Sequence, residues 1–157
     1  MAVKKGYTAK LYRNSATFGT PTWAECENVK DVAINIPFDK LEGTARGVAL
    51  KQYEPGLGDL SITGKFRTNE DDTDFVAFET AHLAKSLIDL MVLDGGSTTT
   101  GSRGYRVECK IFNFSEDQAH GNILYRDFEA APCITTNAQQ TVVVTAGAPV
   151  FTTFSAA

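Results

Sequence analysis

Three stretches of strict two-residue alternation dominate the sequence and restrict it to a mainly β fold. In residues 29–38, Val32, Ile34, Ile36 and Phe38 alternate with Asp31, Ala33, Asn35 and Pro37. In residues 59–66, Leu60, Ile62 and Phe66 share one side, and Asp59, Ser61, Thr63 and Lys65 share the other. In residues 105–112, Tyr105, Val107, Cys109 and Ile111 oppose Arg106, Glu108 and Lys110. Successive strand side chains point to opposite faces, so each stretch reads as a half-buried strand of an antiparallel sheet with one apolar and one wet face. Fainter strand patterns lie at residues 7–13, 86–93 and 122–130.

One segment has helical spacing instead. Asp72 or Thr73 is placed to cap a helix over residues 74–85, and the acidic run Glu70, Asp71, Asp72, Asp74 suits the positive end of its dipole. Val76, Glu79, Leu83 and Leu87 form one stripe, with Phe75, Phe78 and His82 beside it. Burial against a sheet accounts for the two phenylalanines. The same acidic run does not meet the ligand pattern of an EF-hand: counted from Asn69, the sixth position is Asp74 where glycine is needed, and the twelfth is Thr80 where glutamate is needed.

At 157 residues the chain suits one domain, and its 43% hydrophobic content is enough for a real core. Fifteen Lys and Arg against nineteen Asp and Glu give a net charge of −4, without the cationic excess that gripping nucleic-acid phosphates requires. No apolar run is long enough to span a bilayer, and the opening Met-Ala-Val-Lys-Lys-Gly-Tyr-Thr lacks a signal peptide's apolar segment. Cys26, Cys109 and Cys133 have no zinc-type spacing, and three free thiols in a reducing compartment is the simplest reading. Cys109 sits on the apolar side of its strand, where cysteine acts as a small buried hydrophobe.

The residues suggest no catalysis, no metal and no cofactor. There is no nucleophile elbow, P-loop or dinucleotide fingerprint. The sequence Pro55-Gly56-Leu57-Gly58-Asp59 precedes a strand instead of opening a helix, and reads as a turn. His82 in the helix and His120 in a turn-like stretch have no partners that the sequence singles out. Trp23, flanked by Glu25 and Glu27, reads as a core anchor at a sheet end, with a binding-surface role as the alternative.

Three connections complete the organisation. Residues 39–51 are charged and long for a hairpin. Residues 94–104 are a polar Gly/Ser/Thr linker. The uncharged segment 137–157 follows the last clear strand as an extended arm or an extra strand, which divides the chain into a β domain, 1–136, and a C-terminal extension, 137–157.

The order of these features resembles the major tail tube proteins of long-tailed bacteriophages. The phrases that carry the likeness are Asn28-Val29-Lys30-Asp31-Val32-Ala33-Ile34-Asn35-Ile36, the loop with Thr44-Ala45-Arg46-Gly47, then Asp59-Leu60-Ser61-Ile62-Thr63-Gly64-Lys65-Phe66. The helix beginning Asp74-Phe75 follows, then Met91-Val92-Leu93-Asp94-Gly95 and Ile111-Phe112-Asn113-Phe114-Ser115. The likeness covers about residues 7–133. It implies an antiparallel β-sandwich or barrel with one flanking α-helix, in subunits that form hexameric rings stacked into a tube through which DNA passes into the host. The implied location is the virion tail, with assembly in the host cytoplasm and no membrane insertion by this chain. The implied partners are other copies and tail proteins such as the tape measure, tail tip and terminator.

Within that expectation the wet-face residues Asp59, Ser61, Thr63, Lys65, Arg106, Glu108 and Lys110 are candidates to line the lumen, with bulk solvent outside the tube as the alternative. Asp39, Lys40, Leu41, Glu42, Thr44, Arg46, Val48, Leu50 and Lys51 are candidates for contacts between subunits or rings, as the corresponding loop makes in that family. The mild acidity suits a conduit that must not bind DNA tightly. Other readings are a tube component of a type VI-like secretion system, a small β-sandwich binding module, or a hydrolase using His82 or His120.

Overall fold

The computed structural model describes residues 3–154. After a single 3₁₀ turn at Gly6–Thr8, the elements run β1 (Lys10–Asn14), β2 (Trp23–Glu25), β3 (Val29–Asn35), β4 (Phe38–Glu42), β5 (Tyr53–Gly58), β6 (Ser61–Arg67), α1 (Thr73–Ala84), β7 (Ile88–Leu93), β8 (Arg103–Glu116), β9 (Tyr125–Pro132), β10 (Gln140–Thr145) and β11 (Ala148–Thr153). A nine-stranded antiparallel sheet follows the order β2-β1-β7-β8-β9-β6-β3, with β10 pairing β8 and β11 pairing β10. The pair β4–β5 stands apart as a two-stranded ribbon.

The sheet is rolled. Leu11 and Leu90, near one end of the strand order, share a core with Val32, Ile34 and Ile36 from the other end, together with Ile62, Phe66, Val107, Cys109, Ile111 and Phe128. The expected alternation is realised in β6, where Ile62 and Phe66 are buried while Thr63 and Lys65 are exposed. This is the antiparallel sandwich or barrel with one flanking helix that the resemblance implies, built from the half-buried strands that the alternation predicts.

Helix α1 inserts Phe75 and Phe78 into this core. Phe66 lies 5.7 Å from Phe75 and 5.0 Å from Phe78, and Phe128 lies 5.2 Å from Phe78. Asp72 is the N-cap and accepts from the Asp74 N–H at 3.0 Å. The helix ends at Lys85, which adopts the left-handed conformation with φ 54°. Asp74 is buried and takes the Arg13 Nε–H at 2.8 Å, pinning the first turn to β1. The Phe75/Phe78 stripe is therefore the packing face, whereas Val76, Leu83 and Leu87 are exposed.

A second, smaller core lies on the other side of β1, β7 and β8: Tyr12, Met91, Leu93, Val142 and Val144, with Trp23 and Phe151 packed against it. The segment after residue 137 thus contributes a hairpin, β10–β11, whose Val142 and Val144 are buried; residues 155–157 lie outside the described residues. Gly104 is required where β8 crosses β7, because a Cβ there would lie 1.7 Å from the Val92 carbonyl oxygen.

Two sequence expectations change. Residues 39–51 are not simply a loop: β4 and β5 form a hairpin with Lys40 opposite Pro55 and Glu42 opposite Tyr53. The stretch read as a turn, Pro55 to Gly58, is part of β5. A proline is tolerated there because both edges of a two-stranded ribbon leave N–H positions unpaired. Second, the wet side of β8 is covered along part of its length. Bulging at Phe112, between the pairs Ile111–Ala130 and Asn113–Glu129, reverses which residues face out.

Candidate functional site

The arm formed by β4, β5 and their connection is exposed throughout, apart from the half-buried Gly56. It carries Phe38, Leu41, Val48, Leu50, Tyr53 and Leu57 into solvent, with Leu50 78% and Leu57 84% exposed. Its tip is ordered by short-range bonds. Gly43 N–H donates to the Gln52 carbonyl at 3.0 Å, and Gln52 N–H donates to Thr44 Oγ1 at 3.1 Å. Gly47 turns the chain with φ 93°, a conformation that costs glycine little. Asp39, Lys40, Glu42, Arg46 and Lys51 are all exposed, and Lys51 sits 3.8 Å from Glu42. An apolar ribbon without cover in its own chain has the character of an interaction surface.

The second surface is the polar side of β3, β6, β9 and the end of β8. Thr63 lies between Ala33 and Glu129, and Lys65 between Lys30 and Asp127. Asn113 and Ser115 extend the same face opposite Glu129 and Asp127. Asp59, Thr63 and Lys65 are exposed and Ser61 half-buried, so these four share one solvated face. Carboxylates of Asp59, Asp127 and Glu129 balance the cations of Lys30, Lys65 and Arg67 on this face.

Arg106, Glu108 and Lys110 do not join that face as equals. Lys110 is half-buried at its border, whereas Arg106 is only 3% exposed and Glu108 is buried. Residues 15–22 and the β10–β11 hairpin close over them. Arg106 Nη2 donates to Asp89 Oδ2 and to the Phe18 carbonyl, both at 2.7 Å, and its guanidinium lies 3.7 Å from the Phe18 ring centroid and 4.8 Å from that of Phe151. Glu108 accepts from Asn137 Nδ2 at 2.5 Å. These are interior clamps, made possible by cover contributed from segments remote in sequence. Asp127, Glu129, Asn113 and Ser115 take the exposed positions instead. The alternation of Asp127 and Glu129 with Phe128 and Ala130 is the sequence signal for the first two.

The residues considered for chemistry are structurally employed. His82 Nδ1 lies 3.1 Å from the Ile111 carbonyl oxygen and its ring packs near Phe114; His120 is exposed in a turn. Trp23 is half-buried against the second core, 6.0 Å from Phe151. All three cysteines are free thiols, and burial pushes those of Cys26 and Cys109 up, which makes them poor nucleophiles. Among the described residues no His/Cys/Asp/Glu group is arranged to hold a metal ion.

No protein-family model and no curated protein matches the chain. Solved structures do. It superposes on the SPP1 tail tube with a TM-score of 0.69 at 10% identity, covering 97% of this chain and 80% of the other. On the tail of an empty gene transfer agent particle, refined with C6 symmetry, the TM-score is 0.66 at 14% identity, covering 96% of this chain and 99% of that one. The chain has the tail-tube fold. The anti-feeding prophage baseplate, sixfold symmetrised, is a more distant match, with a TM-score of 0.52, 6% identity, and coverage of 87% and 91%.

Proposed function

We propose that this protein is a structural, non-enzymatic subunit of a virion tail, self-assembling as hexameric rings that stack into a tube and conduct DNA into the host. The observation that carries the reading is the near end-to-end superposition on the tail of the gene transfer agent particle, a structure with C6 symmetry. The exposed apolar arm supports it, since an isolated subunit gains nothing from a ribbon of uncovered Leu, Val and Phe. Ring closure also protects sheet edges that otherwise invite uncontrolled pairing. The face bearing Asp59, Ser61, Thr63 and Lys65 is proposed to line the bore, where balanced charge lets phosphate slide without adhesion. Other tail proteins, among them a tape measure, a tip and a terminator, are its proposed partners at the tube ends and in the lumen.

Electron microscopy and sedimentation of the purified protein test this. Hollow tubes of regularly stacked sixfold rings are expected. A monodisperse monomer persisting at high concentration overturns the proposal.

The likeness to the anti-feeding prophage baseplate supports a second reading, a tube in an injection machine with a different cargo. Nuclease treatment of isolated particles separates the two, because only a DNA conduit is expected to belong to particles that carry protected DNA.

A further inference from the structure

Beside α1 lies an open cleft of about 710 Å³, lined by residues of α1 together with Phe18, Asp89, Glu108 and Asn137 of the clamps described above. Val76, Ala77, Leu87 and Phe18 supply its apolar lining. Val76 and Leu87 are each 45% exposed. Glu70 and Asp71 also line the cleft. Both are exposed, and neither carboxylate forms an ion pair among the described residues.

The arm has the matching character. Between Gly43 and Lys51 its tip carries Arg46 and Lys51 and no carboxylate, with Val48 and Leu50 exposed between the two cations. An apolar segment flanked by positive charge thus faces solvent on one part of the molecule, and a cleft with an apolar wall and the free carboxylates of Glu70 and Asp71 faces solvent on another; the Arg13 guanidinium that also lines it is taken up by Asp74. Burying both removes aliphatic surface from water and gives Glu70, Asp71 and Arg46 ion-pair partners, with Lys51 exchanging or sharing its loose, exposed contact to Glu42 at 3.8 Å.

We propose that the α1 cleft is the receptor for the arm tip of a second copy of this chain. Val48 and Leu50 of one copy seat against Val76, Ala77 and Leu87 of its neighbour, and Arg46 and Lys51 meet Glu70 and Asp71. The inference rests on the self-assembling reading and deepens it by naming where the arm docks.

The test combines charge reversal with cross-linking on the full chain. Arg46→Glu with Lys51→Glu, and separately Glu70→Lys with Asp71→Lys, are each expected to raise the concentration needed for tube formation about tenfold or more. The four substitutions together are expected to restore assembly. All four side chains are exposed, so circular dichroism of each variant should match the wild type. In a mixture of isotopically heavy and light copies, a photoreactive Leu50→benzoylphenylalanine should cross-link to the α1 peptide of the other isotope. Tubes whose cross-links avoid α1, cross-links confined to a single copy, or charge reversals without mutual rescue overturn the receptor assignment and leave the tube reading standing. Failure of the wild-type protein to assemble overturns both.

Discussion

Arg106 shows how a residue with every outward sign of a surface position becomes interior. Its strand alternates cleanly, and it shares a parity with Glu108 and Lys110, yet Asp89, Phe18, Trp23, Phe151 and Gln140 surround it. A buried cation keeps its charge only while partners replace the lost water. Arg106→Ala leaves the half-buried Asp89 carboxylate without its cation and with the Asn14 amide as its remaining partner, and is expected to cost about 3 kcal/mol. Arg106→Met combined with Asp89→Leu should recover most of that loss, because an apolar pair needs no compensation. Urea unfolding followed through Trp23 emission measures both, and Trp23 also reports locally, with its ring 5.0 Å from the guanidinium.

At the scale of elements, the arm separates assembly from folding. Its apolar residues belong to neither core, and its strands pair only with each other. Replacing residues 41–50 by a short Gly/Ser linker is therefore expected to leave the melting temperature nearly unchanged while abolishing tubes, as measured by calorimetry and electron microscopy. Normal tubes from that variant would remove the arm from any contact between subunits. Helix α1 behaves in the opposite way. Phe75 and Phe78 weld it into the main core, and Arg126 ties it to β9 through Glu79 at 2.7 Å. Its exposed Val76 and Leu83, with Leu87 just beyond its C-terminus, are the part free to serve a neighbour.

For the whole molecule, the rolled sheet decides which polar residues share a face. If the side with Asp59, Ser61, Thr63 and Lys65 lines the bore, a cysteine at Ser61→Cys should resist a maleimide too bulky for the lumen in assembled tubes and react in the free subunit. Lys110→Cys, at the border of that face, is expected to follow it. Rapid labelling of both in intact tubes would put this face outside. The buried thiols of Cys26 and Cys109 contribute little background, whereas Cys133 is half-buried and has to be replaced first.

The sequence by itself determined the mainly β class, the strands around Ile62 and Val107, the capped helix with its inward phenylalanines, and the oversized, charged connection after Phe38. These follow from local rules: side-chain parity in strands, capping chemistry and the length of the connection. Tertiary structure alone decided that Arg106 and Glu108 lie inside, that Pro55 to Gly58 is strand, and that residues 140–153 return as a hairpin beside β8. Pairing with β4 settles the second of these, and for Arg106 and Glu108 the reason is cover. Alternation states only that two faces differ, while the choice between water and protein cover depends on segments far away in sequence, here residues 15–22 and the β10–β11 hairpin. A single bulging residue, Phe112, then reverses the parity for the rest of its strand.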